Sequence, residues 1–187
     1  MVSLIQLWLP ILLSSVLVFI ASSLLNMLLK FWHAPDYHTF SNEDEVREAL
    51  RRGISTTGAY HVPACTPEMM KQPQTQEKLK QGPNALVMVR PNGVMNIGVY
   101  LGQWFGYCVL VSLVCALLAR SALPAGAPCL HVCHVIGLAA LLGYALGSLP
   151  NAIWWAHPWS IAIKHFIDGV IYAVITAATF AWLWPAV

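Results

Sequence analysis

Apolar residues gather in four long runs along this chain, Leu4–Leu29, Val94–Ala119, Val132–Leu149 and Ser160–Trp184, and most charged residues lie between the first two. A bilayer core takes about 20 apolar residues to cross as helix. The pattern therefore predicts four transmembrane helices. Residues 1–30 form the first, 31–93 a separate polar module, and 94–187 the remaining three. The expected fold is an all-α membrane protein with a small cytoplasmic α+β cap between helices 1 and 2.

Inside the module the pattern changes. Ser41-Asn-Glu-Asp44 reads as a variant capping box, with Ser41 as the cap. Glu43, Asp44 and Glu45 favour the positive helix start, Arg51 and Arg52 the negative end, and Gly53 the stop. Val46, Ala49, Leu50 and Ile54 make a narrow apolar stripe, so a short surface helix docked by one side is expected. From Gly53 to Pro83 no period is sustained. Ala85–Val89 followed by Pro91-Asn92-Gly93 reads as a strand and a turn.

Polar and small residues mark the helix faces that meet a neighbour. Ser15, Ser22 and Asn26 share one side of the first helix, widened by Ser14 and Ser23; the expected role is packing, with a substrate path as the alternative. Gly98, Gly102 and Gly106 recur every four residues in the second helix, and Ala140, Gly143 and Gly147 repeat the idea in the third. Such stripes let helix backbones approach closely, which supplies dispersion energy where lipid supplies no hydrophobic drive. Trp154, Trp155 and Trp159 before the fourth helix, with Trp182 and Trp184 near its end, fit interfacial anchors.

Composition agrees with this class. Of 187 residues, 58% are hydrophobic and only 10% charged, where a soluble domain carries about a quarter. Lys30, Arg47, Arg51, Arg52, Lys71, Lys78, Lys80 and Arg90 lie between the first and second runs. Basic residues stay on the cytoplasmic side. The expected topology is thus a cytoplasmic 31–93 segment with both termini outside. Met1–Pro10 has no basic n-region, so a retained helix is expected, and Val2 rules out N-myristoylation. Basic residues alternate with acids, so no nucleic-acid partner is indicated; the expected partners are lipid and other membrane subunits or a second copy. No P-loop, dinucleotide fingerprint, nucleophile elbow or His-Glu-x-x-His motif occurs, and no cofactor is indicated.

The candidate chemistry centres on the fourth helix. Asp168 lies roughly 13 Å beyond Trp159 along a helix, and acids at such depth face a bundle interior or a wet cavity. Lys164 and Asp168 share a face, and His165 sits three residues from Asp168. The three read either as a proton or ion relay or as a structural Lys164–Asp168 ion pair with Lys164 snorkelling. Lys164 preceding Asp168 is the weaker order for a helical pair, so Asp168 is expected to need a partner such as Tyr100, Gln103 or Ser22.

Two other groups are weaker. Cys129, Cys133 and His134 resemble a lengthened haem-attachment signature or a soft-metal site, against ordinary small membrane residues. His33, Asp36 and His38 put three ligand types in six residues but lack a fourth. Cys108 and Cys115, one heptad apart, read as packing residues, and Cys65 as a reduced thiol.

Pro10–Ser23, Asn42–Val46, Gly82-Pro83, Pro91-Asn-Gly93, Asp168–Tyr172 and Trp182–Pro185 together resemble a family of small bacterial integral membrane proteins. The resemblance implies an inner-membrane address and brings no activity, ligand or catalytic residue. The expected function is an interaction or accessory component of a larger membrane assembly. The alternatives are a small oligomeric transporter or proton-coupled channel using Asp168, and less favourably a membrane haem or metal redox protein.

Overall fold

The computed structural model describes residues 2–186. Four of its helical stretches are long and apolar enough to cross a bilayer, Ile5–Leu28, Ile97–Ala122, Cys129–Trp154 and Trp159–Trp182. They fit a multi-pass membrane protein. In lipid every backbone N–H and C=O must bond within its own segment, so long apolar runs of this kind become helix.

The first stretch is α1 (Trp8–Ser23), preceded by a tight turn at Ile5–Leu7 and continued by one wide π-helical turn at Leu24–Leu28. Pro10 falls in the first turn of α1, where its missing N–H costs nothing. After Leu29 the chain re-enters a single turn of helix, α2 (Lys30–His33). Residues up to Tyr37 and from Asn96 onward form one compact unit, and His38–Met95 form another.

The 38–95 unit contains α3 (Glu43–Gly53), β1 (Gly58–Val62), α4 (Pro73–Gln81) and β2 (Ala85–Val89). The strands pair antiparallel with Gly58 opposite Val89 and Val62 opposite Ala85. Three local expectations change here. Asn42 rather than Ser41 caps α3, and its amide reaches Glu45 Oε2 at 3.0 Å instead of a backbone N–H. No residue of α3 is buried, so its apolar stripe is not docked as expected. The stretch without a period holds both β1 and α4. Helix α4 is mostly polar, with Thr75 buried and Leu79 half-buried one turn later on the same face, and begins at Pro73 and stops at Gly82 in a positive-φ conformation.

The first unit continues through α5 (Ile97–Ala122), α6 (Cys129–Tyr144), α7 (Leu149–Trp154) and α8 (Trp159–Trp182). The third span is therefore not one continuous helix. Pro150 at the start of α7 would push its ring into the carbonyl of Leu146, and the chain breaks into a tight turn at Leu146–Ser148. Helix α1 packs on α5 and α8, α5 on α6, and α6 on α8, which closes a four-helix bundle. At one end Gly126 N–H donates to the Pro185 carbonyl (2.8 Å) and Trp184 Nε1 to the Pro124 carbonyl (3.0 Å), joining the α5–α6 link to the end of α8.

Leu7, Ile11, Val111, Cys115, Val132, Ile136 and Phe180 are buried together at the bundle centre. The serine face of α1 meets α5. Ser14 Oγ lies 3.0 Å and Ser15 Oγ 3.3 Å from Ser112 Oγ, and Ser22 Oγ accepts from Trp104 Nε1 at 2.7 Å. Asn26 sits on the exposed side and bonds back to the Ser22 carbonyl at 3.0 Å.

The glycines divide differently from the sequence expectation. A Cβ at Gly143 would lie 3.0 Å from Val111 Cγ1, so that position does let α5 and α6 approach. At Gly102, Gly106 and Gly147 nothing lies within 4 Å, and at Gly98 only the neighbouring Asn96 amide does. The close crossing is made by a residue outside those stripes, Gly169. A Cβ there would sit 2.5 Å from Ala145 Cα and 2.6 Å from the Tyr144 carbonyl oxygen. Gly169→Ala is thus expected to lower stability by about 1–3 kcal/mol through overpacking against backbone. Gly102→Ala should stay within about 0.5 kcal/mol of the parent. Thermal unfolding of the purified chain in detergent, read by circular dichroism, checks both.

Candidate functional site

The π-helical turn and the break at Leu29 direct Lys30–Asp36 back over the start of α8. That return brings together the one acid within the spans and a second acid from the returning segment. Asp168 is 2% exposed. Its Oδ1 accepts from Trp32 Nε1 at 2.8 Å, and its Oδ2 lies 2.7 Å from His33 Nε2. The other ring nitrogen, His33 Nδ1, faces Asp36 Oδ2 at 3.1 Å. Lys164 Nζ donates to Asp36 Oδ1 and, at 2.7 Å, to the Trp32 carbonyl, with the Trp32 ring 5.7 Å away.

This arrangement corrects the expected pairing. Lys164 turns to Asp36, not to Asp168 one turn along its own helix. Asp168 takes its donors from Trp32 and His33 rather than from Tyr100, Gln103 or Ser22. Helix geometry explains the exchange: Lys164 before Asp168 is a poor intrahelical pair, and the returning segment offers each group a better-aligned partner. His165 does not bond the carboxylate; its ring stacks on His33, with centroids 5.1 Å apart and planes at 21°.

The proton count is informative. Both His33 nitrogens face carboxylate oxygens, but a neutral imidazole carries only one N–H. The network therefore closes only with one more proton, held by His33 or by one of the two acids. With that proton on His33, two cations balance two carboxylates and the cluster is neutral. Such a closed network matters because a buried unpaired charge is expensive.

His33, His165 and Asp168 are also the residues that a metal ion would use, since their ligand atoms lie within 4.8 Å of one another. Asp36 on the far nitrogen of His33 resembles the carboxylate that orients a metal-bound histidine. The ring geometry argues the other way. Stacked imidazoles keep their in-plane lone pairs in separate, nearly parallel planes, so a shared ion needs one ring to rotate. The direct 2.7 Å hydrogen bond between His33 Nε2 and Asp168 Oδ2 already pairs these two ligand atoms with each other.

Of the remaining candidates, the Cys129 and Cys133 thiols lie beside each other one helical turn apart, and no third metal-ligating group joins them among the described residues. Cys129 and His134 are exposed in the first turns of α6, and the Cys133 thiol points to the Ala177 carbonyl at 4.0 Å. All five cysteines are free. His38 lies in the 38–95 unit and is exposed. Cys108 and Cys115 are buried among the bundle helices.

Trp32 and Gly169 were not singled out by sequence reasoning. The Trp32 N–H gains a role only once the chain turns back onto Asp168. Gly169 was hidden because close packing was sought in repeats of glycine. Comparison with protein-family models, curated proteins and solved structures returned no match. The site therefore rests on its own geometry.

The Lys164 ammonium, with a smaller effect from His33, holds the Asp36 carboxyl below its ordinary 3.8, against a burial effect in the opposite direction. A depressed carboxyl stabilises the fold fully above its unfolded value, and the contribution disappears as pH falls through the folded one. Lys164→Met is expected to lower the unfolding midpoint at neutral pH, with the gap to the parent closing as pH falls through the lowered Asp36 value. A series of melting curves across pH tests this. A gap of constant size would remove the Asp36 linkage.

Proposed function

We propose that this chain is a multi-pass protein of the bacterial inner membrane that serves as an interaction component of a larger membrane assembly. In this reading residues 31–93 are cytoplasmic and both termini lie outside, as the concentration of basic residues before the second span favours.

One observation carries the reading. Helix α5 presents Gly102 and Gly106 on an exposed face with nothing within 4 Å of either added Cβ. Gln103 is exposed beside them and has no hydrogen-bond partner among the described residues. It stands six residues into the span, roughly 9 Å along the helix axis. An amide facing hydrocarbon is costly, and a smooth glycine face with a polar neighbour is the surface that a second helix covers. The glycines that the bundle does not use are thus left for a partner.

A second reading is favoured by His33. A side chain between two carboxylates, sharing a proton that the network needs, suits a proton-coupled transporter in which Asp168 loses and regains its partner. Asp168 and His33 are then the working pair, with Lys164 holding Asp36.

Native mass spectrometry of the chain extracted from its own membrane in mild detergent separates the two. Under the first reading, unrelated subunits accompany the chain at fixed stoichiometry, and Gly102→Leu releases them while leaving its melting temperature in place. A homo-oligomer alone would shift the assignment to transport. Asp168→Asn should then abolish flux in liposomes without changing the oligomer.

A further inference from the structure

The cluster of His33, His165 and Asp168 closes on itself through the hydrogen bond from His33 to Asp168 and the stack of His165 on His33. The two imidazoles are held unequally. His33 is engaged at both ring nitrogens, by Asp168 and by Asp36. His165 is half-buried, yet its ring nitrogens make no hydrogen bond among the described residues. A polar ring left unbonded away from water is costly. It is also the ring whose rotation would let three ligand atoms converge, and only its stack opposes that turn.

The distances suit a small ion. His165 and Asp168 are three residues apart on α8 and so share a face, while the returning segment sets His33 against them. A tetrahedral ion with bonds of about 2.0–2.1 Å holds its ligand atoms roughly 3.3 Å apart. Here the separations run from 2.7 Å between His33 and Asp168 to no more than 4.8 Å across the group, on either side of that value.

The outer partners of such a site are already in place. Asp36 Oδ2 lies 3.1 Å from His33 Nδ1, which turns Nε2 of the same ring toward Asp168. Trp32 Nε1 donates to Asp168 Oδ1 and leaves Oδ2 to face the histidines. Lys164 engages Asp36 through Oδ1, which holds that carboxylate outside the ligand set. Bonds of this kind orient metal ligands and fix the imidazole tautomer. Two imidazole nitrogens and one carboxylate oxygen match zinc and its neighbours, whereas magnesium and calcium take sets of oxygen.

We propose that His33 Nε2, Asp168 Oδ2 and a ring nitrogen of His165 bind a divalent transition-metal ion of the zinc type, which takes the place of the hydrogen between His33 and Asp168. The ion draws His165 out of its stack, and water completes the coordination from the open side of that ring. The site depends on neither reading of function given above.

The test uses the full chain, purified in mild detergent, treated with a chelator and titrated with Zn²⁺ against a chromophoric competitor. One ion per chain is expected to bind and to raise the melting temperature. His165→Gln should weaken zinc binding by at least about tenfold and cancel the melting shift. Its melting temperature without zinc should stay near the parent's, since the Trp32–His33–Asp168 hydrogen bonds remain whole. Asp168→Asn should also lose the ion, and His165→Gln keeps the test decisive if that variant folds poorly. Replacing Cys129 and Cys133 together by Ser should leave zinc binding unchanged. Co²⁺ in the parent should give visible d–d bands of nitrogen and oxygen ligation that His165→Gln removes. A thiolate-to-cobalt charge-transfer band, or loss of zinc in the double cysteine variant, would place the ion on α6 and overturn the site. Undiminished zinc affinity in His165→Gln, or a parent chain that takes up no zinc, would reject it.

Discussion

Asp168 is the constraint around which the helical bundle is organised. A carboxylate 2% exposed within an otherwise apolar helix must be given donors or neutralised. Trp32 and His33 give it donors, but only because α1 ends in a wide turn and the chain bends back across the start of α8. Asp36 and Lys164 then complete the set, each answering the charge of the other. The segment between the first span and the polar module is thereby anchored to the fourth span by charge and hydrogen bonding rather than by apolar contact.

The residue after Asp168 carries a second constraint of a different kind. Gly169 lies against the backbone of Tyr144 and Ala145, at the place where the third span breaks before Pro150. One turn of α8 therefore supplies both the charged clamp to the first span and the closest backbone approach to the third. A side chain at Gly169 would separate α8 from α6 and carry Asp168 with it. Electrostatic and steric demands meet on adjacent residues, and neither is adjustable without the other.

The polar module follows other rules. Its helix α3 buries no residue, and its sheet has only two strands, an assembly too small for a large core of its own. What it does have is a sorted charge pattern, with acids in the first turn of α3 and arginines in the last, and an uncovered apolar stripe beside them. In this unit unburied surface, rather than a packed interior, is the prominent feature.

Four helices long and apolar enough to cross a bilayer were legible from the sequence, because hydrocarbon admits only long apolar segments with internally bonded backbone. Their ends were legible to within a few residues, except where Pro150 divides the third span. The strand at Ala85–Val89 and the helix before Gly53 were also readable, from β-branched enrichment and from sorted end charges. Helix α4 was not, since Leu79 is its one large apolar side chain and a single position sets no period. Asp168 announced itself as the odd charge in an apolar run, and Lys164 and His165 as its neighbours. Which groups paired could not be read in the same way. Spacing along one helix suggested Lys164 with Asp168, whereas the actual partners come from residues more than a hundred positions earlier, brought in by a turn with no sequence signature. The glycine stripes were likewise visible, yet only the packed bundle decided that Gly143 and Gly169 are used inside it while Gly102 and Gly106 are not. Local chemistry and periodicity determine which segments form long apolar helices; the pairing of distant groups depends on how the chain returns, and that belongs to the tertiary structure alone.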